Sequence, residues 1–357
     1  MMSLSFSLLV FLSALFTASA LTLPSSHQIQ ARDFYPPNIT LVYQFPNNGS
    51  WIENLVQRPN GDLLVTRLDA CQLYSINPRS NSASLVNTFP NCDAATGITE
   101  IAKDVFVVLT ATVKLQPFSV IPGSYAAWLV DYGSCHSPSD APRISQIASL
   151  TKTAFLNGLT TWTPEIVLAT DSSLGLVWAI DVHTGDYSIA VKDPTMAPTP
   201  DAPLKLGING IKVLRNRTQS YLYYTNSNTE IFHRLPVSSD AIPTPIGPAQ
   251  ALASGFSQDD FGLAKDGTAY IGGNAGDFVY ELTPEGALSI IAGETNQLTV
   301  IGATSCVLGR TKWDKGILYV GTTGGLAEPI NGVLVEPGKV VAIRLECNER
   351  ESCVNSE

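Results

Sequence analysis

Short apolar runs of strand length alternate with turns rich in Gly, Asp, Asn and Pro along nearly the whole chain. The segment 261–286 shows this pattern most clearly, because the turn 265–267 separates two apolar runs and a third run follows. Asp-Gly between apolar runs is typical of a tight β-hairpin. No stretch has a long helical period, so the pattern predicts an all-β fold with almost no helix.

The apolar runs are grouped into repeats, and each repeat begins with a short polar segment. The polar segments recur at intervals of about fifty residues, a period typical of a β-propeller. We therefore predict six four-stranded antiparallel blades around a central channel. Because inner strands begin at one end of that channel, the segments should form a ring. They are 51–54, 97–100, 156–159, 208–211, 259–262 and 303–306.

The two ends of the propeller should meet. The early apolar run 39–45 is expected to pair beside a last strand at 340–345, which would close the ring and protect an exposed edge. Two long segments, 115–148 and 193–205, interrupt the regular spacing. We interpret both as loops, which either line the mouth of a binding site or elaborate the surface.

The N-terminal segment differs from the repeats. Residues 4–16 are almost wholly apolar and 18–20 form a small-residue cleavage signal, so 1–20 is predicted to be a secretory signal peptide. A signal anchor that stays attached is the alternative. The prediction divides the rest into an N-terminal extension at 21–37, a propeller at 38–346 and a C-terminal tail at 347–357. The protein is then expected to be secreted or to lie in the secretory lumen, without a membrane span.

Composition agrees with this picture. Only 15% of the residues are charged, which fits a β-rich protein with much buried surface. The net charge of -10 and the lack of any Lys/Arg run argue against nucleic acid as a partner. Sequons at Asn38, Asn48 and Asn216 are predicted glycosylation sites.

Six cysteines in an oxidising compartment predict disulfides. Cys71 and Cys92 flank a turn-rich segment and are expected to pair. In the chain-entropy model a disulfide that closes this loop stabilises the folded protein by about 3 kcal/mol. Cys347 and Cys353 are a candidate pair in the tail, and Cys135 is unassigned. For Cys306 a buried thiol and a bond are both open.

The predicted ring carries oxygen ligands, from Glu53, Glu100, Asn157, Asn209 and Asp260. Carboxylate and amide oxygens suit Ca²⁺ or Mg²⁺, and such an ion acts as a Lewis acid on a carbonyl. The spacing alone is equally consistent with ordinary turns at the blade starts.

Five of the repeat starts carry short motifs, which are Trp-x-Glu-Asn at 51–54, Asn-Gly-Leu at 157–159, Asn-Gly-Ile at 209–211, Asp-Phe-Gly at 260–262 and the segment 304–309. These motifs resemble the blade starts of the gluconolactonase and senescence-marker-protein (regucalcin) superfamily, and the resemblance extends over roughly 40–345. The resemblance implies a six-bladed propeller. It also implies a central divalent ion held by Glu53, Asn157, Asn209 and Asp260. The chain departs from the family at 259–261, where Asp-Asp-Phe replaces Pro-Asp-Gly, and it offers no clear base for a hydrolase.

The opening Trp-x-Glu-Asn-x-x-x-Arg-Pro-Asn-Gly at 51–61 and Gly-Ile-Thr-Glu at 97–100 resemble a secreted fungal branch of this superfamily. Some of that branch are similar to hetero-Diels–Alderases of tropolone and meroterpenoid pathways, which join a quinone methide to a terpene alkene. The resemblance implies a shaped pocket and no required cofactor. The implied small-molecule partners are an apolar terpene and a reactive aromatic or tropolone.

A cycloaddition needs little chemistry from the ring, since proximity and orientation alone supply about 7–11 kcal/mol in favourable cases. Candidates to hydrogen-bond a ketone are Thr99, Asn157 and Asn209. Candidates for the acid that expels water from a benzylic alcohol are Glu53, Glu100 and Asp260. The residues expected to line the substrate site, whose aromatic members are also consistent with ordinary packing, are Trp51, Phe118, Tyr125, Trp128, Phe261 and Ser305.

We therefore expect a pericyclase of hetero-Diels–Alderase type that does not need added metal. A Ca²⁺-dependent lactonase or esterase is the alternative, and a non-catalytic binding propeller is the third possibility. A Ser-His-Asp hydrolase is disfavoured because no histidine stands at a blade start. The four histidines are His27, His136, His183 and His233. A nucleotide or flavin cofactor is disfavoured because the phosphate-binding motifs are absent from the sequence.

Overall fold

The structure is a computed structural model that describes residues 30–31, 39–133 and 141–345 of the 357-residue chain. These residues form six four-stranded antiparallel sheets, arranged as blades around a channel, which confirms the predicted fold. The helical structure in the described residues is a single 3₁₀ turn, Pro194–Met196. None of the described residues form a helix that is long and apolar enough to cross a membrane.

Two strands precede the first blade. Strand β1 (Gln30–Ala31) pairs in parallel with the outer edge of blade 5, and β2 (Ile39–Gln44) forms the outer strand of blade 6. The strands of blade 1 are β3 (Ile52–Gln57), β4 (Leu63–Arg67), β5 (Gln72–Asn77) and β6 (Ser82–Thr88). In every blade the first strand is the innermost one.

Blades 2 and 3 follow. The strands of blade 2 are β7 (Ala94–Ala102), β8 (Val105–Ala111), β11 (Tyr125–Asp131) and β12 (Arg143–Leu150), with an inserted hairpin of β9 (Val113–Leu115) and β10 (Phe118–Val120). The strands of blade 3 are β13 (Leu156–Thr161), β14 (Ile166–Asp171), β15 (Leu176–Asp181) and β16 (Tyr187–Val191).

Blades 4 to 6 complete the ring. The strands of blade 4 are β17 (Ile208–Arg215), β18 (Ser220–Asn226), β19 (Ile231–Val237) and β20 (Gln250–Ser254). Those of blade 5 are β21 (Phe261–Leu263), β22 (Ala269–Gly272), β23 (Phe278–Leu282) and β24 (Leu288–Gly293). Those of blade 6 are β25 (Ala303–Leu308), β26 (Ile317–Thr322), β27 (Lys339–Arg344) and β2.

The inner strands surround the channel. Each contacts the inner strand of the next blade, in the order β3, β7, β13, β17, β21, β25 and back to β3. The ring closes because β2 pairs with β27, with Tyr43 opposite Val340, as the sequence predicts. We call the end where the inner strands begin the upper end of the channel, and the opposite end the lower end.

Apolar clusters fill the spaces between successive blades. Leu168 and Val177 of blade 3, for example, pack in one cluster with Leu222 and Tyr224 of blade 4. Second strands such as β4 are buried along their whole length, whereas outer strands such as β12 are largely exposed. This gradient explains why the second strands are nearly continuous apolar runs in the sequence.

The predicted insertion 115–148 is not a single loop, and this prediction was wrong. It contains β11 and β12, which are regular third and fourth strands of blade 2. Because β12 exposes much of its surface, its composition resembles that of a loop. The added element is the hairpin β9–β10, which lies at the upper end because it joins the second strand of its blade to the third. The segment 193–205 is irregular apart from its 3₁₀ turn, as predicted.

The predicted Cys71–Cys92 disulfide is present, with 5.7 Å between the Cα atoms, and Cys306 is a buried free thiol. The side chains of Asn48 and Asn216 are exposed, so both sequons are accessible and their glycosylation stays a prediction. Other predictions fall outside the described residues: the signal peptide 1–20, most of the extension 21–37, the tail 347–357, Asn38, Cys135, Cys347 and Cys353.

Candidate functional site

The inner strands of blades 1, 2, 3, 4 and 6 each carry a β-bulge at their start. In blade 3 the pairing with β14 passes from Leu156 directly to Leu159, so Asn157 and Gly158 form the bulge. Blade 4 repeats this arrangement with Asn209 and Gly210. A bulge re-aims the side chains of its strand, and here it presents the polar repeat residues at the upper end of the channel.

The Asn-Gly motif has a steric reason. A Cβ atom on Gly158 would lie 2.5 Å from the backbone oxygen of Asn209, and one on Gly210 would lie 2.5 Å from Asp260 Oδ1. Glycine at the second bulge position therefore lets the bulges of neighbouring blades pack directly against each other.

Threonines on the second strands hold successive bulges together. The hydroxyl of Thr170 donates to the backbone oxygen of Asn209 at 2.6 Å, and that of Thr225 donates to the backbone oxygen of Asp259 at 2.6 Å. Thr66 makes the same contact with the backbone oxygen of Thr96 in the next blade. This recurring threonine is a sequence signal that the repeat analysis missed.

These equivalent contacts and registers define an upper ring of first bulge positions, all of them buried. In blade 5 both Asp259 and Asp260 bond to the backbone of Gly272, and Asp259 takes the first position. The upper ring consists of Glu53, Thr96, Asn157, Asn209, Asp259 and Thr304.

The upper ring holds two carboxyl groups that influence each other across the channel. Burial raises the pKa of Glu53 well above its usual range, and the nearby Asp259 and Asp260 raise it further against the opposing hydrogen bond from Trp51. That bond joins Trp51 Nε1 to Glu53 Oε2 at 2.7 Å. Because blade 6 separates blades 1 and 5, this interaction crosses the channel. Glu53 therefore holds its proton to a higher pH than an exposed glutamate does.

Asp259 is the second carboxyl of this pair. Burial raises its pKa to about 7, with a smaller contribution from Asp260, while amide hydrogen bonds from Asn274 and Asn209 oppose the rise. The two amide nitrogens donate at 2.9 and 2.8 Å. The site thus combines a carboxyl group that holds its proton more tightly than usual with one whose pKa lies near neutral pH.

Several buried polar side-chain atoms, on the two amide partners of Asp259 and on the preceding residue in the chain, have no hydrogen-bond partner among the described residues. They are the side-chain oxygens of Asn209 and Asn274 and both amide atoms of Gln258, a residue that is 1% exposed. Such atoms are rare in folded proteins and indicate a place for a bound group. No cluster of three or more His, Cys, Asp or Glu side chains suited to a metal ion occurs in the described segments.

Asp260 lies one position below the upper ring in a separate polar network. Its Oδ1 accepts from Lys212 Nζ at 2.5 Å, and its Oδ2 accepts from Asn54 Nδ2 at 2.7 Å. The hydroxyl of Ser305 donates to Asn54 Oδ1 at 3.2 Å. This network joins blades 4, 5, 1 and 6, so it spans one side of the channel.

An apolar wall stands beside the carboxyl pair. Trp51 and Phe118 are half-buried against the cluster between blades 2 and 3, and the Phe118 ring lies 5.7 Å from that of Phe155. The hairpin β9–β10 adds Leu115 and Val120 to the same wall. The upper end therefore offers an aromatic surface next to a buried acid.

The structure brings together part of the predicted site. Glu53, Asn157 and Asn209 lie in the upper ring, and Trp51 and Phe118 lie in the apolar wall. Asp260 and Ser305 lie in the network just below. The upper ring thus contains the residues named for blades 1, 3 and 4, whereas in blade 5 Asp259 takes the ring position assigned to Asp260, and the roles of these residues stay a prediction.

Glu100 and Thr99 are not in the upper ring, and their predicted placement was wrong. Glu100 is three residues beyond Gly97, the second bulge position, so the strand carries it toward the lower end, where its carboxylate pairs with Arg310. The hydroxyl of Thr99 lies 3.0 Å from that of Thr161, also below the ring. An open cavity of about 520 Å³ at the lower end is lined by Pro59, Glu100, Ile101, Ala102, Lys103 and Arg310.

Three predicted substrate contacts are packing residues. Phe261 is fully buried against Phe232, with 4.8 Å between the ring centroids. Its register matches the core residues Leu55 and Leu159 in other blades, which explains its burial. Trp128 packs against Phe89 and donates to Thr110. The ring of Tyr125 is buried in the core between blades 2 and 3, although its hydroxyl has no hydrogen-bond partner among the described residues.

Four site residues were missed by sequence reasoning: Lys212, Gln258, Asp259 and Asn274. Asp259 had a signal, because it precedes Asp260 in the repeat motif. Lys212 also had one, since it follows the Asn-Gly bulge by two positions. Asn274 and Gln258 lie in connecting segments whose positions depend on the closed ring.

Comparisons with known proteins agree with this architecture. No protein-family model matches the chain. It is 28% identical over 318 residues to a protein of Phoma sp named "Putative hetero-Diels-Alderase", covering 80% of this chain and 86% of that protein. It is 28% identical over 317 residues to "Putative hetero-Diels-Alderase asR5" of Sarocladium schorii, covering 78% and 77%.

Solved structures share the fold at low identity. A luciferin-regenerating enzyme aligns with a TM-score of 0.59 and 12% identity, covering 86% of this chain and 95% of that one. A calcium-binding regucalcin of Agrobacterium tumefaciens aligns with a TM-score of 0.54 and 13% identity, covering 87% and 97%. The chain therefore is a six-bladed propeller with the regucalcin-type fold, and its sequence is similar to that of proteins named as hetero-Diels-Alderases.

Proposed function

We propose that this protein is a pericyclase of hetero-Diels–Alderase type, which joins a quinone methide of aromatic or tropolone origin to a terpene alkene. The observation that carries the proposal is the similarity to two proteins of that name over about four-fifths of the chain. The proposal includes action in the secretory lumen or outside the cell, without a required cofactor.

The upper end of the channel suits such substrates. A terpene is apolar and fits against the wall of Trp51, Leu115 and Phe118. The oxygen-bearing ring of the other partner meets the buried carboxyl pair, the unpaired side-chain oxygen of Asn209 and the unpaired amide of Gln258. Holding the two partners in contact supplies the orientation that a cycloaddition needs.

Glu53 and Asp259 support formation of the quinone methide from a benzylic alcohol with an adjacent ring hydroxyl. The Glu53 carboxyl gives its proton to the departing hydroxyl as the carbon–oxygen bond breaks, and water leaves. The ring hydroxyl gives its proton to the Asp259 carboxylate, and the electron pair of that bond completes the quinone methide. One proton leaves the pair and one returns, so the total number of protons on the pair is unchanged.

The decisive experiment supplies a quinone-methide precursor and a cyclic terpene to the purified protein, with and without a chelator. We expect one stereoisomer to form faster than in buffer, with no loss on chelation. Glu53→Gln is the matched control, because it keeps an acceptor for Trp51 and removes the acidic proton. Equal rates and identical stereoisomer mixtures with and without the protein would contradict the proposal.

A Ca²⁺-dependent lactonase is the second candidate, favoured by the oxygen atoms of the upper ring. The unpaired Asn209 oxygen and the two mutually unfavourable carboxyl groups fit a hard divalent cation. Glu53, Asn209 and Asp259 would hold it, whereas Asp260 is engaged by Lys212. The ion would supply Lewis-acid polarisation of a carbonyl. Hydrolysis of lactones that is lost on chelation, without cycloadduct, would favour this candidate.

A further inference from the structure

Lys212 occupies a distinctive position in the channel wall. It lies two residues beyond the bulge of blade 4, and the pairing registers give one equivalent residue in each blade. These six positions, which we call the lower ring, are Val56, Thr99, Thr160, Lys212, Gly262 and Val307. Most are partly exposed although their strands are innermost, so they face the channel. Lys212 is therefore a single cation in an otherwise neutral ring.

The Lys212 ammonium is held upward, toward the carboxyl pair. Asp260 Oδ1 accepts from it at 2.5 Å, and Asp260 is itself fixed by Asn54 Nδ2 and by the backbone nitrogen of Phe261 at 2.6 Å. The Asp260 side chain is 2% exposed, whereas that of Lys212 is 25% exposed. An ammonium has three donors, so the bond to Asp260 leaves others for a ligand entering the channel.

Resting on the proposed function, we propose that Lys212 donates a hydrogen bond to the substrate oxygen that becomes the ether oxygen of the cycloadduct. The substrate class this implies is a tropolone or phenol-derived quinone methide whose reacting oxygen carries negative charge, fully or in the transition state. A terpene alone offers no such atom.

The chemistry of the addition explains the need for a cation. The π bonds of the quinone methide's C=C and C=O groups and of the alkene are replaced by one carbon–carbon bond, one carbon–oxygen bond and one new ring C=C. When the carbon–carbon bond forms before the carbon–oxygen bond, negative charge develops on the oxygen of the quinone methide. A fixed ammonium in a largely buried channel stabilises that charge without reorganisation. Lys212 forms no covalent bond in this step.

Tropolone provides a direct binding probe, because its near-ultraviolet absorbance changes on ionisation. We expect the full-length protein to bind the anion and to lower the apparent pKa of bound tropolone. Lys212→Met should remove that lowering and weaken anion binding by about 10- to 100-fold, the range expected for one charge-assisted hydrogen bond. Lys212→Arg should keep most of the anion binding and most of the lowering of the tropolone pKa. Lys265→Met, which removes an exposed charge in the turn between β21 and β22, is the matched control.

Loss of Lys212 leaves Asp260 buried without its cation, so Lys212→Met/Asp260→Asn is included to remove both charges. Tropolone anion binding equal to wild type in the folded Met variant, or in the double variant, would overturn the proposal. This outcome is separable from the proposed function. Stereoselective cycloaddition with unaltered turnover in Lys212→Met refutes the role of Lys212 alone. Lys212-dependent anion binding without any cycloaddition refutes the pericyclase and keeps the anion site.

Discussion

The two ends of the channel both contain buried polar residues, but they use them differently. At the lower end, the Asp314 carboxylate accepts from Gln57, Thr311 and Tyr319, and Arg310 pairs with Glu100. At the upper end, the Glu53–Asp259 pair is flanked by amide atoms without partners. Satisfied polar groups stabilise the closure of the ring, whereas unsatisfied groups with raised pKa values indicate a binding site.

The largest expected effect is a loss of cycloaddition rate when the acid at the upper end is removed. Glu53→Gln should lower the rate of cycloadduct formation from the alcohol precursor by about 10²- to 10⁴-fold, the usual contribution of a general acid. Its thermal unfolding should change little, because Gln has the size of Glu and its amide oxygen can accept from Trp51. A preformed quinone methide should largely restore the rate. Full activity of the variant with the alcohol would contradict the role of Glu53.

The converse effect is expected at the lower end. Asp314→Ala removes an acceptor from the buried Gln57 and Tyr319 and the half-buried Thr311, and should lower the free energy of unfolding by about 3 kcal/mol, since each buried group left without a partner costs about 1–3 kcal/mol. Denaturant unfolding measures the loss. Activity per folded molecule, at a temperature well below the transition, should stay near wild type. A large loss of activity in folded protein would place the lower end in the site.

The fold follows from the sequence because the repeat is visible in local patterns. The Asn-Gly bulges at 157–158 and 209–210 and the apolar second strands predict blades without knowledge of contacts. The positions of Glu100 and Phe261 do not follow, because a shift of one or two residues on a strand moves a side chain to another level or face. Asp259 and Lys212 acquire their surroundings from neighbouring blades, which become known only when the ring closes.

The free energy of unfolding, measured over a series of pH values, tests the Glu53–Asp259 pair at the upper end separately from the lower end. The pKa of Asp259 is raised to about 7 and that of Glu53 is also raised, so the folded protein binds these protons more tightly than the unfolded chain. The contribution of Asp259 to stability is complete below its unfolded value near pH 4 and is lost as pH rises through about 7, and the contribution of Glu53 changes in the same direction. We expect a loss on the order of 2 kcal/mol, measured by denaturant unfolding.

Asp259→Asn provides the control for this series. It removes the titrating group while keeping a side chain of the same size, so the fall in stability between pH 5 and pH 8 should become clearly smaller. A variant in the lower end, Asp314→Asn, should keep the wild-type slope. Identical slopes for wild type and Asp259→Asn would show that the pair does not titrate in this range.

The smallest effect is expected for Glu100, which tests the lower cavity. Glu100→Gln breaks a half-exposed pair with Arg310, and such pairs contribute about 0–1 kcal/mol. The free energy of unfolding should therefore change by less than about 1 kcal/mol, and salt should reduce the difference further. Cycloaddition should be unchanged, because Glu100 lies below the ring and faces Arg310 rather than the Glu53–Asp259 pair. Denaturant unfolding and turnover of the alcohol precursor measure the two quantities. If a Glu100→Gln protein folds normally but loses turnover as strongly as Glu53→Gln, the catalytic acid is Glu100 at the lower end. The cavity beside Arg310 would then be the substrate site.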